Sequence, residues 1–325
     1  APLRCYLEHR MINAAGSIGK LADLLREKFD VRFVRVTDVA VLRQTPALFA
    51  EIGYLSKGSE SPTLGLLKVM ICPHQNMSLL CLHDEPGYSE TFRRIVGGMV
   101  ETVPPRPKPR EDWNEREAFD QILVAKLQDR PVGFDWTFPD ERGQRVSVHA
   151  MLTPRGASDV LAEDSFRIER VDAHGWLAYL RYLRIVGGEK DTELTLDREK
   201  GGEYSYAGTY HGRDIAGQFR AYRKEGLASE TAIARLLREE LLPGRTTELA
   251  VEEYSPGSNP EGPTPIVYRP LPDSQSLSIQ FGVVQGVGIV DQHGFFERVE
   301  LTLSDVNLSL TRIFFRALDT VAATR

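Results

Sequence analysis

A basic surplus is missing from this sequence, and so is any long apolar run. Lysine and arginine total 40 against 46 aspartates and glutamates, for a formal net charge of -6 and a pI near 5.8. A chain with that balance is not a general nucleic-acid binder. No apolar stretch reaches the ~18–20 residues that a membrane-spanning helix requires. Cysteine is scarce as well, with only Cys5, Cys72 and Cys81. An odd, sparse count argues against a disulfide framework. The amino-terminal region also lacks a basic segment followed by an apolar core, because Arg4, Glu8, Arg10, Lys20 and Asp23 interrupt Leu3 to Leu25. Ala1 is the kind of small residue exposed when an initiator methionine is trimmed. These features together predict a cytoplasmic protein with no membrane span.

What is present is ordinary globular composition, with 42% hydrophobic and 26% charged residues over 325 positions. That usage excludes a disordered chain, a collagen and a coiled-coil rod. At roughly 100–200 residues per domain, the length suits two or three units. The clearest boundary is Pro104-Pro105-Arg106-Pro107-Lys108-Pro109-Arg110, where proline density favours a stiff extended linker. Charge divides there. Residues 1–103 hold 12 basic and 11 acidic residues, 104–111 hold three and one, and 112–325 hold 25 and 34. The expected organisation is a small α+β domain over 1–103, a Pro-rich linker over 104–111, and a larger acidic α+β region over 112–325. That last region divides further into 112–190 and 191–325.

Hydrophobic spacing predicts helices over Ser17–Phe29, Tyr88–Val96, Trp113–Leu127, Trp176–Val186 and Ser229–Leu242, and one beginning at Ser304. Strands are predicted at Val31–Val36, Leu64–Cys72, Met77–His83, Val146–Leu152 and Phe166–Val171, and in several runs between Ile266 and Leu303. Tyr204–Tyr210 and Ile215–Tyr222 flank His211-Gly212-Arg213 as a hairpin. The resulting fold class is α+β, with mainly antiparallel sheets and packed helices. Arg-Ile-Val-Gly-Gly occurs at both 94–98 and 184–188, and Ala22–Glu27 echoes Ala234–Glu239, so an internal duplication is part of the expectation.

No established catalytic motif is found. Arg-Ile-Val-Gly-Gly resembles the activation site of trypsin-like serine proteases, but that family's Gly-Asp-Ser-Gly-Gly and Ala-Ala-His-Cys motifs are missing, as is a Gly-x-Ser-x-Gly elbow. Three weaker constellations remain. Cys72, His74, Cys81 and His83 are zinc-type ligands. Their spacing is unusual, however, and a two-residue hairpin at Gln75-Asn76 would hold His74 and His83 roughly 20 Å apart along the ladder. His83, Asp84 and Glu85 close an apolar strand and could serve acid–base chemistry in a hydrolase or metal-dependent enzyme. Tyr204, Tyr206 and Tyr210 share one strand face beside Arg213 and Asp214, and could stack a flat ligand or a partner.

With catalysis unsupported, the leading expectation is a non-enzymatic protein-binding adaptor, chaperone or assembly component. No cofactor is expected, with zinc or another divalent metal as the exception to watch. A protein partner is expected, and nucleic acid is not expected to bind the acidic region.

Overall fold

The computed structural model describes residues 2–8, 13–58, 61–74, 77–102, 118–272, 275–303 and 306–317. The Pro-rich linker lies outside the described residues. The first part forms an antiparallel sheet of β1 (Arg4–Glu8), β2 (Phe29–Leu42), β3 (Thr45–Ser56), β4 (Leu64–His74) and β5 (Met77–Asp84), in the order β1-β5-β4-β3-β2. Helix α1 (Ala14–Lys28) lies on one face of this sheet, and α2 (Ser89–Val100) on the other. β3 is consequently buried on both sides from Thr45 to Tyr54.

The second part is a single antiparallel sheet built from two meanders. The first runs through β6 (Phe119–Leu127), β7 (Arg130–Pro139), β8 (Arg145–Pro154), β9 (Val160–Val171), β10 (Leu177–Val186), β11 (Glu189–Arg198), β12 (Glu203–Tyr210) and β13 (Arg213–Arg220). Next come α3 (Glu230–Leu236), with a π turn over Leu237–Leu241, and the second meander. That meander comprises β14 (Leu249–Glu253), β15 (Thr264–Pro270), β16 (Ser276–Phe281), β17 (Val284–Val290), β18 (Phe296–Leu303) and β19 (Val306–Ala317). Pairing of β19 with β6 joins the meanders into fourteen strands. The sheet rolls around α3, whose Ala232, Ile233 and Leu236, with Leu237 of the π turn, pack on Leu249, Val251, Ile266 and Leu277.

The protein is therefore mostly β, and this corrects the α+β expectation. Three predicted helices have a different structure. Trp176–Val186 contributes β10, the described end of Trp113–Leu127 is β6, and the segment after Ser304 is β19. In β10 both faces carry apolar residues, with Leu180 and Tyr182 on one and Leu183 and Ile185 on the other. That hides the period of two that normally marks a strand. In β19 the apolar residues 310, 313, 314 and 317 stand at helical spacing, and a register shift between Arg312 and Phe314 lets the strand accommodate them. The predicted helices around α1, α2 and α3 are present, and α2 continues through Gly97-Gly98 to Val100.

The two Arg-Ile-Val-Gly-Gly strings also part company. Residues 94–98 sit inside α2, whereas 184–188 end β10 and turn into β11. Gly187 (φ 60) and Gly188 (φ 84) supply the two positive φ angles that such a tight hairpin demands. The strings do not mark a duplicated unit.

The small sheet and the large one share a core. Ile18, Val34, Ile52 and Val69 pack in one cluster with Ile122, Phe134, Trp136, Val148 and Phe166. Asp164 on β9 reinforces the junction by accepting the backbone N–H groups of Ala15 (3.0 Å) and Gly16 (2.7 Å) at the start of α1. These are donors that the helix leaves without internal partners. Burial pushes the Asp164 carboxyl up to about 6, against the pull of these same N–H groups. Among the described residues, no helix is long and apolar enough to cross a membrane.

Candidate functional site

Strand geometry sends alternate residues to opposite faces. In β6–β9 one set (Ile122, Phe134, Trp136, Val146, Val148) faces the small sheet. The other set (Gln121, Asp135, Thr137, Arg145, Ser147, Arg167, Glu169) faces into the roll. There it meets Glu230 and Ile233 of α3, Glu253 of β14, Tyr268 of β15, and Phe295, Phe296, Val299 and Leu310 from the second meander. Between them is a cavity of about 270 Å³. Polar and charged side chains from β6–β9, α3 and β14 line it together with apolar and aromatic ones from α3 and the second meander.

Buried charges need partners, and most here have them. Arg167 bonds Glu169 through Nε, and its Nη1 reaches Glu253 (3.3 Å) and the carbonyl of Tyr254 (3.1 Å). Arg145 donates to Thr231, lies 3.6 Å from Glu169, and covers the Phe119 ring at 5.2 Å. His149 stands 3.7 Å from Asp135. Burial works against the protonation of His149, but Asp135, together with Glu163 and Asp164, more than offsets it and the imidazole pKa rises. Gln121 Nε2 donates to Glu230 Oε1 at 2.8 Å. Burial pushes the Glu230 carboxyl up to about 7; Arg145 and Gln121 oppose the shift, while Asp135 and Glu253 add to it. Burial likewise raises Glu253, against the pull of Arg167. Gln121 Oε1 is buried without a hydrogen-bond partner.

None of the residues singled out from the sequence lines this cavity. Tyr204 is fully buried in the core, donating to the Leu177 carbonyl and accepting the Leu227 N–H. Tyr206 lies against Phe219, and Tyr210 against His211. Arg213 and Asp214 open β13 on the exposed surface. The Tyr204–Tyr210 face is thus packed from one end rather than open for stacking.

His83, Asp84 and Glu85 do not converge. Asp84 turns to the Tyr54 hydroxyl, which donates to both its oxygens at 2.6 Å. His83 and Glu85 (Nε2 to Oε2, 3.7 Å) face a separate groove of about 370 Å³ with Tyr88, Phe92 and Ile95 of the α2 region. His83 Nδ1 is buried there without a partner.

The zinc-type residues are dispersed as well. Cys72 pairs in register with Leu79, and His74 with Met77. Cys72 is a buried thiol 3.4 Å from the Thr45 hydroxyl, and burial pushes its pKa up to about 11. Cys81 is joined in a disulfide to Cys5, directly across the β1–β5 ladder. The disulfide corrects the expectation drawn from cysteine count, since two of three cysteines suffice when strand pairing sets them opposite. Among the described residues, no group of three or more His, Cys, Asp or Glu side chains is placed to hold a metal ion.

No protein-family model and no curated protein matches the chain. A solved β-barrel-like protein of the domain of unknown function DUF1849 from Brucella abortus is similar, with a TM-score of 0.47 and 10% identity over 63% of this chain and 99% of that one.

The cavity residues were missed for a physical reason. Arg145 and Ser147 alternate with apolar neighbours, as do Arg167 and Glu169, and that pattern describes a strand with a solvated face. Only the roll of the sheet makes that face an interior. Glu230 directly follows Ser229 at the start of α3, where an acid is simply favourable for the helix.

Proposed function

We propose that this protein is a non-catalytic binding protein that holds a small amphipathic molecule in the cavity of its rolled sheet. The observation that carries this reading is the cavity's mixed lining, in which Asp135, Arg145, Arg167, Glu169 and Glu230 meet the apolar Ile233, Phe296, Val299 and Leu310. Binding sites commonly combine apolar lining with a few placed polar groups. Ligand-observed NMR on the full chain with 2-phenylethanol and its amine and carboxylate analogues tests it. Binding is expected, and Val299→Trp, which fills the space, should abolish it. Absence of binding by all three compounds would reject the reading.

A second reading, the protein-binding role expected from sequence, is supported by the α2 region. Tyr88, Ile95 and Met99 are 66%, 42% and 37% exposed there, beside the His83 groove. Exposed apolar patches mark interaction surfaces. Proteins retained by the wild-type chain should be lost from an Ile95→Asp variant of unchanged unfolding midpoint.

The cytoplasmic location expected from the sequence sits poorly with the Cys5–Cys81 disulfide, a bond that persists in oxidising compartments. We therefore favour an oxidising environment. Mass spectrometry of alkylated protein from its source should show Cys72 alone modified after denaturation. Alkylation of all three cysteines would restore the cytoplasmic reading.

A further inference from the structure

We infer that the polar end of the ligand is an ammonium group, seated between the Gln121 carbonyl and the Glu230 carboxylate. This rests on the cavity being a binding site. Gln121 is only 2% exposed, and its Oε1 has no partner. Its Nε2 donates to Glu230, which leaves the Oε1 acceptor unfilled. An unmet buried acceptor is costly, and a donor from the ligand would satisfy it.

The surrounding charge favours the same group. Asp135, Glu169, Glu230 and Glu253 face the cavity against Arg145 and Arg167. Arg167 is already held by Glu169 and Glu253, and Arg145 by Thr231 and the neighbouring Glu169. Glu230 is left with the neutral Gln121 as its hydrogen-bond partner. An ammonium offers only donors, which suits two acceptors side by side. A carboxylate or phosphate would place its own lone pairs against both.

Seating a cation beside Glu230 favours its ionised form. The groups acting on Glu230 are Arg145 from β8, Asp135 from β7, Gln121 from β6, Glu253 from β14 and Tyr268 from β15. With Glu230 largely protonated at pH 6, amine binding at that pH should release a proton to solvent.

Isothermal titration calorimetry of the full chain at pH 6, in two buffers of different ionisation enthalpy, tests this with 2-phenylethylamine, 2-phenylethanol and 3-phenylpropionate. The amine should bind at least about tenfold tighter than the alcohol, with proton release, and the carboxylate should bind weakest. Glu230→Gln should cut the amine's advantage to under about threefold, and Gln121→Leu should weaken the amine about tenfold. An alcohol or carboxylate that matches the amine on the wild-type chain would overturn the ammonium assignment and leave the cavity as a binding site. So would an amine preference that survives Glu230→Gln. If none of the three binds, both readings fall. The wild-type ranking decides the matter even if a variant does not fold.

Discussion

Strands β6 to β9 present two faces of opposite character. Outward, toward the small sheet, they carry Trp136, Phe134, Val148 and Ile122, all 2% exposed or less. Inward they carry Gln121, Asp135, Arg145, Arg167 and Glu169. The same backbone ladder supports both. In a rolled sheet, then, the face away from the main core need not be surface. It can be a second interior whose chemistry is free of packing duty, because the first face already supplies the stability.

This contrast can be broken first at the outer face. Trp136 stacks on Phe138 with ring centroids 4.0 Å apart and is 1% exposed. Trp136→Ala should cost about 3–5 kcal/mol in a chemical denaturation, the usual loss for a buried tryptophan. A loss below ~1 kcal/mol would mean that this face is not the principal core.

Inward, the largest effect should come from Glu230 and depend on pH. An acid whose pKa rises on folding binds its proton more tightly in the fold. Its contribution to stability is therefore complete below the unfolded pKa near 4.5 and is lost as pH climbs through about 7. Glu230→Gln removes that dependence. Relative to wild type, the variant should gain about 3 kcal/mol between pH 4 and pH 8. A constant difference across that range would show that the Glu230 carboxyl titrates normally.

The smallest effect should come from the neutral pair on the inner face, Thr137 and Ser147, whose hydroxyls lie 3.1 Å apart. Ser147→Ala should cost no more than about 1 kcal/mol. A much larger loss would make the inner face as critical to stability as the outer one and remove the contrast.

Legibility from the sequence followed the same division. The short hairpins were readable where turn chemistry is local, as at His211-Gly212 between β12 and β13. Helices α1 and α3 were readable from their apolar spacing. What was not readable depended on distant contacts. β10 is apolar on both faces because the small-sheet core and the interior of the roll both claim it. β3 is buried from Thr45 to Tyr54, so it shows no alternation. The candidate site needs Gln121 and Glu230 together, although they are far apart in sequence and joined by one hydrogen bond that no local pattern announces. The Cys5–Cys81 link was hidden likewise until β1 was paired with β5.

The pairing of β6 with β19 has a consequence for how the chain reaches this state. Phe119 lies opposite Ala317, so the strand that opens the large sheet waits for the strand that completes it. During synthesis β6 would spend the intervening time with one hydrogen-bonding edge unfilled. Contacts so distant in sequence form late and slowly. Gln121 on β6 and the charged Asp135 and Arg145 on β7 and β8 would keep that unfinished sheet solvated and so limit its pairing with other chains.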